Sequence, residues 1–461
     1  MSDTLMPVQS SYDWIIQDTT VYDTTTRQIL EHHDIATRGP HIANIAPTGT
    51  LTYGDAHILD GRGQVALPGL INCHAHSAMT LFRGVAEDVD VMTWFNDIIW
   101  RLETNLSPED VYWGAKLAAI EMIEAGVTTV SDHYFFADEV ARAFLDAGLR
   151  AHIAPTLFDA AGADLDQALQ TSQDFVGRWQ HEGKTSDSDD VGRIQVWLGP
   201  HSPYLCSQEM LVEVRDLAAS LDIGVHLHVS ETKSQVEMSL EQHGQTPIAY
   251  LEHLGLFEVP VLCAHATHAT QDDITLLANY KAGVAHCPKT FLKLASGIAN
   301  ITEMLAQSVP VGLGTDGPAS NNTLDIFEQM RLTAMLQKHE QDDATVLGRQ
   351  EVLELATAGA ASVLNEPQLG KLQPGYLADI ILVSLDEAHM QPVHDLVAAL
   401  VYSASARDVQ SVMVHGEVLM QQRELTKLDK REVFKQVKTR AHKLHESTAN
   451  TRLQTFPGKT K

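Results

Sequence analysis

Between Leu67 and Asp316 the chain alternates short apolar runs with amphipathic helical stretches, the pattern that yields a parallel sheet wrapped by helices. Eight runs read as strands: Leu67 to His76, Gly126 to His133, Arg150 to Phe158, Ile194 to His201, Gly224 to Glu231, Pro260 to His268, Gly283 to Pro288, and Val309 to Asp316. Eight is the number that closes a (β/α)8 barrel, a TIM-like α/β fold. The polar residues of these runs gather at their C-terminal ends, where such barrels carry their sites. A doubly wound sheet is the alternative, but no Gly-rich phosphate loop supports it.

The two ends have a different texture. From Tyr12 to Gln64, short β-rich runs (Trp14-Ile-Ile, Thr20-Val-Tyr, His41-Ile-Ala-Asn-Ile-Ala) are separated by Gly, Pro and Asp. Similar runs return in Ala378-Asp-Ile-Ile-Leu-Val-Ser and in Val409 to Met420, after the turn signal Gln373-Pro-Gly375. Two β pieces flanking a long middle predict one small composite β-sandwich built from both chain ends. The division expected is 1–66 and 371–426 for that sandwich, 67–370 for the barrel, and 427–461 for a C-terminal helix and tail. Val433, Val437, Ala441 and Leu444 give the helix one apolar stripe. The stretch His181 to Asp190 reads as a solvated loop and the tail after Ser447 as loose.

Composition narrows the function. The chain has 461 residues and a net charge of −28, spread along its length, which repels phosphate backbones and anionic membranes. Nucleic acid and membrane partners are therefore not expected. Met1-Ser-Asp-Thr-Leu-Met-Pro has neither a basic start nor an apolar core of a signal, and no apolar run reaches membrane-spanning length, so a cytoplasmic protein is expected. Cys73, Cys206, Cys263 and Cys287 are too scattered for a disulfide framework or a thiolate metal knuckle and read as buried small hydrophobes.

The chemistry lies at the strand ends. His74 and His76 are two apart, so a strand presents both on one face. The pair alone is weak, but strand five ends His228-Val-Ser-Glu231, strand six holds His265 and strand eight stops at Gly314-Thr-Asp316. Only a barrel mouth brings these together. Imidazoles plus a carboxylate suit Zn²⁺, Fe²⁺ or another first-row ion, with His74, His76, His228 and Asp316 as the ligand set. An ion so held acidifies a bound water. Asp316 is the candidate to take up its remaining proton, Glu231 is the general acid and base, and His265 orients the water or stabilises developing charge. His226 shares the inward face of His228 but reads as lining, and His133 and His268 as hydrogen-bonded core groups.

Pro68-Gly-Leu-Ile-Asn-Cys-His74-Ala-His76, Leu81-Phe-Arg-Gly-Val-Ala-Glu-Asp88, Gly199-Pro-His-Ser-Pro-Tyr-Leu205, His228-Val-Ser-Glu231, Leu292-Lys-Leu-Ala-Ser-Gly297 and Gly314-Thr-Asp316-Gly together resemble the amidohydrolase superfamily. More narrowly, they resemble the methylthioadenosine and S-adenosylhomocysteine deaminases over nearly the whole chain. That resemblance implies a zinc enzyme that replaces the 6-amino group of an adenine nucleoside with oxygen, with one Zn²⁺ per subunit. It also implies substrate contacts by Glu103 on the ribose hydroxyls, His201 on the purine ring and Glu231 at N1, beside Asp316. From sequence alone Glu103 would read as a solvated carboxylate at a helix end. Strand four carries no Lys, which two-metal relatives use to bridge their ions, so a single metal is expected. Relatives of this kind are commonly dimers or larger.

Two departures stand out. Relatives that accept S-adenosylhomocysteine can place Arg residues just after strand three, whereas Ala154 to Asp164 contains none here, which favours an uncharged 5′ substituent and hence 5′-methylthioadenosine. Lys289-Thr-Phe291 replaces the Ser-Asn of many relatives, so a differently shaped purine pocket is expected. The alternative substrates are a free base or a triazine ring, for a deaminase or chlorohydrolase of the same superfamily. The alternative class is an inactive scaffold, against which the intact set of polar residues argues.

Overall fold

The computed structural model describes residues 12–24, 26–159, 165–182 and 192–446. The expectations for the first seven residues, for most of the loop up to Asp190 and for the tail after Ser447 lie outside the described residues.

All eight barrel strands are present: Leu70–Ala75, Val127–Tyr134, Arg150–Leu157, a fourth split into Ile194–Val196 and Gly199–Pro200, then Val225–Val229, Val261–His265, Gly283–His286 and Val311–Leu313. Neighbours pair in parallel, as expected for runs whose residues are buried on both faces. Two arcs of this sheet are joined into a ring by the parallel bridges Leu198 to Val225 and Ala75 to Asp316. The second bridge sets the strand carrying His74 and His76 directly beside the strand end carrying Asp316. Side chains of Asn72 and Thr315 lock it: Asn72 Nδ2 donates to Thr315 Oγ1 at 2.7 Å, and Thr315 N donates to Asn72 Oδ1 at 3.0 Å.

Strands from both chain ends share one nine-stranded sheet. At its centre Gln64–Pro68 pairs antiparallel with Ile380–Ser384, and on its other side runs beside Trp14–Asp23. The run predicted from Leu67 to His76 thus divides at Gly69, with Leu67 in this sheet and Leu70 in the barrel. Gly69 is required there, because a Cβ would lie 2.1 Å from Thr128 Oγ1. Trp14-Ile-Ile and Thr20-Val-Tyr are one strand, interrupted by register shifts around Asp18 and Thr19; Asp18 has φ of 54°. Its partner, Gln28–Arg38, is a strand the pattern did not reveal: its first half is largely exposed, and Glu31-His-His-Asp34 interrupts its apolar residues. The run from Val409 to Met420 is a hairpin, Val409–Val414 and Glu417–Gln421, turned by His415 and Gly416, both with positive φ.

The C-terminal helix, Lys430–Glu446, buries Val433, Val437 and Leu444, with Ala441 partly covered. It packs on helix Pro108–Glu124, and Arg440 Nη1 donates to Asp110 Oδ1 at 2.9 Å. Burying three such side chains contributes roughly 1.5–3 kcal/mol each, enough to hold a helix whose other faces are charged.

Candidate active site

Imidazole nitrogens converge at the barrel mouth in an arrangement fixed from behind. His76 Nδ1 donates to the carbonyl of His133 at 2.6 Å, and His228 Nδ1 donates to the carbonyl of His201 at 2.9 Å. A carbonyl only accepts, so both Nδ1 atoms carry the proton and both Nε2 atoms present lone pairs in the neutral rings. Those two Nε2 atoms lie 3.2 Å apart, and Asp316 Oδ1 is 3.2 Å from His76 Nε2 and 3.4 Å from His74 Nε2. His74 Nε2 is buried without a hydrogen-bond partner, while its Nδ1 is 2.8 Å from His226 Nε2. Electron-rich atoms crowded together in a dry site repel one another unless a cation sits among them, and donation of the remote ring N–H is how metal-ligating histidines are oriented. The donor set therefore fits a divalent first-row ion.

Three overlapping groups have ligand atoms within 4.8 Å of one another: His74, His228 and His265; His76, His133 and His228; and His74, His76 and Asp316. His133 has both ring nitrogens engaged, by Gly199 O and Thr156 Oγ1, each at 3.1 Å. His226 is likewise engaged on both sides, by His74 and by Ser131 Oγ at 3.2 Å. His226 behaves as the lining, and His133 as the hydrogen-bonded core group, expected from sequence. His268 is turned away, its Nε2 on the carbonyl of Ser296 at 2.5 Å. The structure brings His74, His76, His228, His265, Glu231 and Asp316 to one place, as the spacing along the strands predicted.

Glu231 sits 3.9 Å from His265 Nε2, with Tyr204 Oη 3.5 Å from its other oxygen. Burial, helped by the Asp316 charge, pushes its carboxyl up to about 7. His201 is pushed the other way, down to about 3, by burial and the neighbouring histidines, so it is neutral. Glu103 is not solvated: it is 5% exposed, lines the same pocket and accepts from Tyr134 Oη at 2.6 Å. Burial raises it to about 7 as well.

Three features were missed from sequence. Ser230, His265, Ala266 and Asp316 all have positive φ at the strand ends, a strain that persists where the surroundings impose it and is typical of sites. Asp316 Oδ2 is held by Ser320 Oγ at 2.9 Å. An aromatic roof of Trp94, Phe95 and Trp100 covers the pocket, carried by a π-helical turn at Trp94–Ile99 that leads into Glu103. The density of aromatics between 94 and 100 was the available signal. Phe291, the departure flagged in the sequence, packs edge-on against His265 with ring centroids 5.6 Å apart.

Residues 65–419 match the amidohydrolase family. The chain belongs to that family. Among curated amidohydrolases it is 46% identical to the 5-methylthioadenosine/S-adenosylhomocysteine deaminase of Syntrophomonas wolfei, covering 86% of this chain and 91% of that one. It is 42% identical to the protein of the same name from Pelotomaculum thermopropionicum, over 89% and 94%. Among solved amidohydrolases, an adenosine deaminase from Xanthomonas campestris with bound zinc superposes with a TM-score of 0.89 at 33% identity, covering 95% of this chain and 99% of that one. Atrazine chlorohydrolase from Arthrobacter aurescens TC1, complexed with zinc, gives 0.84 at 26% identity, over 93% and 100%. The fold is thus the barrel expected, with the terminal strands in a separate sheet. Among the described residues, no helix is long and apolar enough to cross a membrane.

Proposed function

We propose that this amidohydrolase is a hydrolytic deaminase that replaces the 6-amino group of an adenine nucleoside with oxygen and releases ammonia, with 5′-methylthioadenosine its foremost substrate and adenosine and S-adenosylhomocysteine secondary ones. The observation that carries this reading is a protonatable Glu231 and a desolvated Glu103 lining one pocket with the histidine and aspartate cluster. Relatives 40–46% identical over most of the chain bear that name.

His74, His76, His228 and Asp316 would hold one Zn²⁺ per subunit. The ion, when bound, supplies an acidified water as nucleophile at neutral pH. Glu231, with its carboxyl near 7, has a proton to give at neutral pH and donates it to purine N1 as C6 is attacked. Asp316, held by Ser320 and facing the histidines, takes the proton released by water and returns it to the departing amine, and Glu231 recovers its proton from the new C6 hydroxyl as ammonia leaves. His265, beside Glu231, stabilises the charge that develops on oxygen. Neutral His201 contacts the purine ring, and Glu103, fixed by Tyr134, accepts from the ribose hydroxyls. The aromatic roof excludes bulk water from the reacting atoms.

Incubating zinc-loaded protein with each of the three nucleosides and following the ultraviolet shift from adenine to hypoxanthine tests the reading. Turnover of methylthioadenosine is the expected result; ammonia release from a triazine or a free base, with none from the nucleosides, would overturn it.

A further inference from the structure

The pocket over the histidine cluster is too small for the substrate it is read to take. Its volume is about 40 Å³, room for about three waters. Pockets that hold drug-sized ligands run from about 300 Å³ upward. A purine therefore enters only when a wall moves. The strand ends are paired into a closed ring, so the cover able to move is the stretch from Gly84 to Glu103 that carries Trp94, Phe95 and Trp100. At its far end this stretch is pinned by the bond between Glu103 and Tyr134. The end to swing is the one near Glu87.

Two sequence motifs that no catalytic role absorbs meet there. Glu87 belongs to the segment Leu81 to Asp88, and Lys293 to the segment Leu292 to Gly297. Lys293 Nζ lies 2.7 Å from Glu87 Oε2. Asn322 Nδ2 donates to Glu87 Oε1 at 2.8 Å, and the Lys293 ammonium donates to Asn322 Oδ1. Side chains from the loops after barrel strands one, seven and eight thus close a ring of bonds. Two of its members stand on fixed ground. Helix Pro288–Lys293 is tied at its start by Lys289 Nζ, 2.7 Å from Glu328 Oε2 and 3.1 Å from Thr323 Oγ1. Asn322 is held through its carbonyl by Arg83, whose Nη1 also donates to Glu121 of helix Pro108–Glu124 at 3.1 Å. Glu87 has no such support: among the described residues, its bonds to Lys293 and Asn322 are the polar side-chain bonds of the stretch Gly84 to Val89.

We propose, resting on the deaminase reading above, that Glu87, Lys293 and Asn322 form a latch that holds the roof over the pocket and sets how fast a nucleoside enters and its product leaves. The backbone around Glu87 suits a hinge. Gly84 has φ of 76°, with nothing within 4 Å of where a Cβ would stand, and Asp88 has φ of 57°. Hinges are a few loop positions of this kind that absorb a change in φ and ψ. The strength of the latch also suits repeated opening. The Glu87 and Lys293 side chains are 37% and 21% exposed, and an ion pair so placed biases an equilibrium by about fivefold at most. Such a bias is too small to hold the fold together but large enough to set how often the roof lifts. The latch acts on the closed roof whether or not a ligand lies beneath it. Breaking it raises the open fraction of empty and occupied enzyme by one factor, so entry and release quicken together and affinity stays the same.

The test is stopped-flow binding of 5′-methylthioinosine, the product, to zinc-loaded protein, read by tryptophan fluorescence, with acrylamide quenching of the ligand-free protein alongside. Lys293→Met should raise the association and dissociation rate constants about three- to fivefold each, keep Kd within about twofold, and increase quenching as Trp94 and Trp100 are uncovered more often. Glu87→Lys should do the same or more. The exchanged pair, Glu87→Lys with Lys293→Glu, should return both rates toward wild type, because the Asn322 amide serves either arrangement by rotating. Unchanged rates in both single variants, faster release with association unaltered (the mark of a damaged pocket), or no recovery in the exchanged pair would each overturn the latch. A wild type that deaminates no adenine nucleoside, while the quenching changes appear as expected, would instead sink the deaminase reading and leave the latch standing.

Discussion

Tyr134 Oη donates to Glu103 Oε1 at 2.6 Å, tying the helical turn under the aromatic roof to the end of the second barrel strand. This bond aims a buried carboxylate into the pocket and leaves its second oxygen for substrate. Glu103→Ala should therefore cut kcat/KM for adenine nucleosides at least a hundredfold. Tyr134→Phe, which removes one hydrogen bond to a charged group, should cut it about tenfold or somewhat more. Steady-state kinetics check both, and unimpaired nucleoside turnover in Glu103→Ala would point to a substrate without ribose.

The same carboxyl makes stability depend on pH. In the metal-free protein, burial raises Glu103 from 4.5 to about 7, opposed by the Tyr134 bond. The folded state thus binds the proton more tightly than the unfolded one. Its contribution to stability is full below about pH 4.5 and is lost as pH rises through about 7. Glu103→Gln cannot titrate. Urea unfolding of both proteins across this range should show wild type losing up to about 3 kcal/mol relative to the variant between those limits. Parallel curves would contradict the raised pKa.

Much of this was legible in the sequence because barrel strands buried on both faces are written as short runs rich in apolar residues that end in polar ones. All eight such runs fold as strands, and the polar residues ending them meet at one place. Legibility failed where tertiary context decides. Gln28–Arg38 is a strand because Trp14–Asp23 offers it an edge, not because its largely exposed first half buries an apolar face. Glu103 reads as solvent-facing until the roof and Tyr134 enclose it. The division at Gly69 depends on the position of Thr128, which no local pattern contains.

Metal retention should track the hydrogen-bonded histidines. His76→Ala or His228→Ala, each removing an Nε2 from the converging set, should leave purified protein with far less than one equivalent of zinc by elemental analysis. His226→Phe keeps every proposed ligand but removes the partner 2.8 Å from His74 Nδ1. It should weaken zinc binding by 10–100-fold in a chelator competition, with the fold intact by circular dichroism. Undiminished zinc affinity in His226→Phe would show that His74 needs no orientation from behind.

Gly69 marks the passage from the terminal sheet to the barrel. Gly69→Ala places a Cβ between 2.1 and 2.6 Å from three atoms of Thr128 and should destabilise the protein by about 1–3 kcal/mol, read as a lower urea midpoint. Adding Thr128→Gly removes all three atoms. The double variant should recover part of the loss that Thr128→Gly alone would not predict.

At the opposite end of the barrel from the histidine cluster, Arg150 is fully buried. Its Nε lies 3.2 Å from Asp379 Oδ2, and its Nη2 is 2.9 Å from His415 Nδ1. Asp379 Oδ1 in turn accepts from His415 N at 2.7 Å, so one ion pair binds the third barrel strand to the hairpin turn of the terminal sheet. Desolvating two charges costs about as much as their attraction returns, so the pair itself adds little net stability; leaving either charge alone is the larger penalty. Arg150→Met and Asp379→Asn should each destabilise by about 3–5 kcal/mol, while the double variant should lose clearly less than the sum. A double-mutant cycle in urea measures the difference. Additive losses would mean that the two side chains act independently and that packing, rather than this pair, holds the sheet to the barrel.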